Sequence, residues 1–78
     1  MEVMATLILQ ISKTIAINAA QIESMVVSGE GGAYLATTIT MRNSRIPHVV
    51  QGDWMRIWRT AIERGAVWAD RKTIQLRT

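Results

Sequence analysis

The firmest hydrophobic pattern in the chain has a helical period. Trp54, Ile57, Trp58, Ala61 and Ile62 recur at spacings of three and four, while Arg56, Arg59, Thr60, Glu63 and Arg64 take the other side. Asp53 suits the cap that accepts the first free N–H groups, and Gly65 suits the left-handed residue just past a helix end. The pattern predicts an amphipathic helix over residues 53–65. A helix this short is marginal alone, so its stripe, with Trp58 at mid-length, has to be buried against a sheet.

Elsewhere the period is two. Leu7, Leu9 and Ile11 alternate with Ile8 and Gln10, which predicts a strand over residues 6–11. The apolar stretch 3–11 containing it is too short to span a bilayer and carries neither a basic leader nor a small-residue cleavage site. Ser12-Lys13 reads as a turn, residues 14–18 as a strand with Ile15 and Ile17 on one face, and residues 18–21 as a bend or single helical turn. Residues 22–28, rich in β-branched and flexible apolar side chains, form the third strand. Gly29-Glu30-Gly31-Gly32 lacks the Lys-Ser/Thr pair and following helix of a phosphate cradle, and is expected to be a mobile hairpin loop. Residues 34–42 are a strand with Leu35, Ile39 and Met41 on one face and Thr38, Thr40 and Arg42 on the other. Asn43-Ser44 is read as a two-residue hairpin turn with Asn43 at positive φ. Residues 45–50 then return as an edge strand, because Pro47 lacks a donor. Beyond the helix, residues 66–69 run extended, Asp70-Arg71 turns, and residues 72–77 make a last strand with Ile74 and Leu76 inward. The expected fold is α+β: a small, mostly antiparallel sheet of about five or six strands on one helix, in the order β-β-β-β-β-α-β, as a single domain over residues 1–78.

Composition adds an expectation of self-association. Apolar residues make up 49% of the 78 positions and charged ones 19%, and there is no cysteine to staple the chain. A single core of this size supplies only ~3–5 kcal/mol, so surplus apolar surface points to a homo-oligomer, closed at an uncapped sheet edge over residues 6–11 or 45–50. The absence of cysteine suits a cytoplasmic protein. Charge is uneven. Residues 1–41 carry Lys13 against Glu2, Glu23 and Glu30, whereas residues 42–78 carry eight basic and three acidic side chains. An acidic partner is therefore expected at the C-terminal half.

Candidate chemistry is sparse. His48 is the sole histidine, so one chain can form neither a Cys/His nucleophile pair nor a zinc site with several nitrogen ligands. On its strand His48 shares a face with Ile46 and Val50, as a partly buried, hydrogen-bonded imidazole would. The six acids are scattered singly, and capping already accounts for Asp53. No catalytic residue, metal ligand or cofactor is expected, and the chain is not expected to be an enzyme. Trp54 and Trp58 belong to the core stripe, while Tyr34 and Trp68 are free to anchor an interface. Arg42, Arg45, Arg56, Arg59, Arg64 and Arg71, with Lys72 and Arg77, are the candidate binding set, arginine being suited to bidentate contact with carboxylate or phosphate. Arg59 and Glu63 are also spaced for pairing along the helix.

The segments at Ile15–Asn18, Ile22-Glu23, Thr38–Met41 with Asn43, Val49-Val50 and residues 53–62 resemble, in their order along the chain, the small bacterial flagellar and swarming-motility family. The likeness covers residues 7–62 and consists of β-hairpin chemistry; the glycine loop is longer than the family's and residues 66–78 have no counterpart. It implies a sheet-plus-helix fold and a non-enzymatic role. Together these readings describe a small adaptor- or inhibitor-type module, bacterial or phage in kind, that self-associates and meets an acidic protein through its arginines. The alternative is a nucleic-acid-binding module that sets the same arginines on phosphates.

Overall fold

The computed structural model describes residues 6–31 and 34–77; residues 3–5 of the apolar stretch and Gly32 of the glycine loop lie outside them. The chain is α+β, as its patterns predict. Its strands are β1 (Ile8–Gln10), β2 (Ala16–Asn18), β3 (Ile22–Ser28), β4 (Ala36–Met41), β5 (His48–Gln51), β6 (Ala66–Ala69) and β7 (Ile74–Leu76), and its helix is α1 (Trp54–Glu63). They form two sheets rather than one: a four-stranded sheet in the order β2-β1-β6-β7 and a three-stranded sheet in the order β3-β4-β5. A 3-10 turn over Ala19–Gln21, capped by the Asn18 side chain, carries the chain from one sheet to the other.

The extra strand is the main correction to the sequence reading. Residues 66–69 are apolar throughout, so alternation cannot reveal them as a strand. They lie parallel to β1 and antiparallel to β7, with Ala66 and Ala69 buried where α1 packs on the sheet. Small side chains let the strand pass close beneath the helix. Because β1 is thereby flanked on both sides, residues 6–11 do not supply the open sheet edge expected of them.

The β4–β5 connection is also longer than two residues. Ile39 pairs with His48, so residues 42–47 form the loop and Pro47 stands just before the ladder, where its missing N–H costs nothing. Positive φ among the described residues is confined to glycines, so Asn43 does not adopt it. Ile46 belongs to this exposed loop instead of sharing a strand face with His48, which is half-buried on β5.

One core joins the two sheets and the helix. Leu7, Leu9, Ile11 and Ile17 come from one sheet, Ile39 and Met41 from the other, and Trp54 and Ala61 from α1. The helical stripe is buried most deeply at its start. Trp54 is fully buried, Ile57 and Trp58 are half-buried, and Ile62 is 53% exposed at the rim beside Leu7 and Arg77. Leu76, expected to point inward, is 50% exposed because β7 ends at the margin of the sheet.

The buried threonine at Trp54 had no counterpart in the hydrophobic pattern. Thr37 lies on the inner face of β4, fully buried. Its hydroxyl donates to the Gly52 carbonyl at 2.6 Å and accepts the Trp54 N–H at 3.0 Å. The indole N–H of Trp54 donates to the Gln51 carbonyl at 3.1 Å, so the largest core side chain has its polar atom satisfied. At Gly52 the backbone turns at φ +104°, and its N–H donates to the Leu35 carbonyl. One threonine thus ties the three-stranded sheet to the first turn of the helix.

Candidate functional site: a basic groove beside the helix

The caps of α1 fix where its outward side chains stand. Asp53 accepts the Arg56 N–H at 3.1 Å, and at the other end the Arg64 and Gly65 N–H groups bond back to the Thr60 and Ile62 carbonyls, with Gly65 at φ +66°. Both ends match the pattern read from Asp53 and Gly65. Arg56, Thr60 and Arg64, four residues apart, then form one ridge of the helix.

Facing this ridge is the β6–β7 turn. Asp70 shapes it, since one carboxylate oxygen accepts the N–H groups of Lys72 and Thr73 at 2.7 and 2.6 Å. The turn brings Arg71 and Lys72 across from Arg56 and Arg64, over a floor containing Ile57 and Ile74. Arg71 is seated by close packing: a Cβ at Gly52 would come within 3.2 Å of its guanidinium. Gly52 therefore leaves room for the Arg71 side chain, while its carbonyl accepts the Thr37 hydroxyl. The result is a groove with cations from two elements on both walls and an apolar floor. Asp70 is the acid in that lining, and its carboxylate is engaged by backbone N–H groups.

The candidate residues divide accordingly. Arg56, Arg64 and Arg71 are brought together, with Lys72 added to them. Arg59 lies on the opposite flank of α1, where with Met55 and Glu63 it borders a second groove against Val27 of β3. Arg42 and Arg45 sit on the exposed loop 42–47 and do not line the basic groove. Tyr34 is 80% exposed before β4, as a surface anchor would be. Trp68 is half-buried on β6, beside Ile8 and Gln75, on the sheet face that turns away from the core. Met55 was missed because it falls outside the helical stripe; only the position of β3 gives it a neighbour.

Among the described residues no three His, Cys, Asp or Glu side chains come together as a metal site, and no helix is long and apolar enough to cross a membrane. No family model, curated protein or solved structure matches the chain.

Proposed function

We propose that this chain is a small non-enzymatic interaction module that self-associates and captures an acidic segment of a partner protein in the groove between α1 and the β6–β7 turn. The observation that carries this reading is the convergence of Arg56, Arg64, Arg71 and Lys72 on a groove floored by Ile57 and Ile74. Carboxylates meet arginine forks in bidentate geometry, and the apolar floor favours a peptide whose acids alternate with aliphatic side chains. Nucleic-acid binding through the same cations is the second-ranked reading. Single strands bind on aromatic platforms beside basic grooves, and here Trp54 is in the core, Trp58 borders the opposite flank and Trp68 faces away from the core on β6.

Fluorescence anisotropy with a labelled polyglutamate peptide and a labelled single-stranded oligonucleotide separates the two. The peptide is expected to bind, and Arg64→Glu with Arg71→Glu is expected to weaken it by about tenfold or more while the melting temperature holds, since exposed charges contribute only ~0–1 kcal/mol to folding. Preference for the oligonucleotide, with affinity falling at a log–log salt slope of about −3 for four phosphate contacts, would replace this reading by the nucleic-acid one.

A further inference from the structure

We infer that the second copy docks on the free edge of β3, about a two-fold axis at Val26, with the helices lying side by side. This rests on the self-association proposed above and assigns its seam. Four strands end a sheet, and they are not equivalent. β2 and β7 are three residues long, and β5 has four and is preceded by Pro47 and the loop carrying Arg42 and Arg45. β3 is seven residues long and, among the described residues, pairs on one side only, with β4. Its single charge, Glu23, falls in the irregularity between Ile22 and Ser24, so the regular run 24–28 is uncharged. A long, regular, uncharged edge is a template for another strand.

That run is also chemically palindromic. Ser24-Met25-Val26-Val27-Ser28 reads alike in both directions as hydroxyl, apolar, valine, apolar, hydroxyl. A two-fold interface must be self-complementary, and antiparallel pairing of two identical strands about Val26 makes it so. Val26 then faces the partner's Val26 on the outer side of the sheet, and Ser24 faces the partner's Ser28. On the inner side Met25 meets the partner's Val27. Two three-stranded sheets become one of six strands.

The neighbouring helix flank fits the same axis. Met55 and Arg59 border Met25 in one groove and Val27 in the next, so an axis through Val26 passes between them. Each Met55 is thereby set against the apolar stem of the partner's Arg59. Electrostatics agree, because like charge does not accumulate on this flank: Arg56 and Arg59 stand with Glu23, Glu63 and the capping Asp53. On a chain of net charge +3, this flank of mixed charge approaches its own copy without the repulsion of a like-charged surface.

Val26 is 58% exposed, so Val26→Lys leaves the isolated fold intact while placing two ammonium groups directly opposite each other in the dimer. Val49, 68% exposed, lies in the same cross-strand row through Thr38 but on β5, which makes Val49→Lys a matched control. Light scattering is expected to show a dimer for the unmodified chain and for Val49→Lys. Val26→Lys, with unchanged circular dichroism, is expected to weaken dimerisation by about tenfold or more. Mixing it with Val26→Asp is expected to restore a dimer, because lysine then faces aspartate. Undiminished dimerisation of Val26→Lys, or loss of the dimer in Val49→Lys, would overturn the β3 seam while self-association stands. A monomeric unmodified chain at high micromolar concentration would overturn self-association itself, and polyglutamate binding would still report separately on the basic groove.

Discussion

The two flanks of α1 each carry an exposed arginine, and Arg56 and Thr60 border the grooves on both, yet the flanks face different surroundings. On one, Arg56, Thr60 and Arg64 look toward Arg71 and Lys72, and positive charge accumulates over Ile57 and Ile74. On the other, Met55, Arg59 and Glu63 look toward β3, whose regular run 24–28 is uncharged and whose one acid is Glu23. Arg59 and Arg64 are both exposed arginines of one helix, yet one is balanced by neighbouring acids and the other is reinforced by cations. An arginine's own exposure thus says little about whether it binds. What the neighbouring strand or turn contributes decides the local field, and so whether a flank suits an acidic ligand or a second copy.

Both flanks depend on a helix held in one place, and the largest expected effect is on that. Trp54→Ala should cost about 3–5 kcal/mol, comparable to the whole stability of a core this size, and should dissolve both flanks together in a thermal melt. Trp58, at mid-length of the stripe, is half-buried and should cost less; an equal loss at both positions would mean that the stripe anchors the helix along its whole length.

A smaller change can separate the flanks. Gly52→Ala forces a side chain onto φ +104° and against the Arg71 guanidinium, so about 1–3 kcal/mol of strain and a displaced Arg71 are expected. Polyglutamate affinity should fall while the β3 dimer, read by light scattering at a temperature well below the melt, stays as it was. Equal loss of both would mean that the flanks are mechanically coupled through Thr37. The smallest effect belongs to the loop. Arg42→Glu with Arg45→Glu should leave stability within about 0.5 kcal/mol and groove affinity nearly unchanged in the anisotropy assay. A large loss there would extend the basic surface beyond the groove.

Local order along the chain was legible where a single face alternates. The helix with its Asp53 cap and Gly65 stop follows from period and cap chemistry, β3 at Ile22–Ser28 from its β-branched and flexible apolar side chains, and the turn over Ala19–Gln21 from the break in alternation there, because these are short-range preferences of the backbone. The α+β class follows from them. What the sequence left open was pairing. Residues 66–69 are apolar on both faces, and nothing local says that such a run inserts beside β1, divides the strands into two sheets and closes the 6–11 edge. The same contacts decided the site. Arg42, Arg45, Arg56, Arg59, Arg64 and Arg71 look alike in sequence, and only the placement of the β6–β7 turn against α1 gathers Arg56, Arg64 and Arg71 with Lys72. Thr37 shows the reason in one residue. Its hydroxyl reads as a surface position by composition, but it is fully buried because Gly52 and Trp54, fifteen and seventeen residues later, bring it the acceptor and the donor it needs. Periodicity reports which face of an element is buried, whereas the identity of the atoms across from it is a long-range property that exists once the chain has folded.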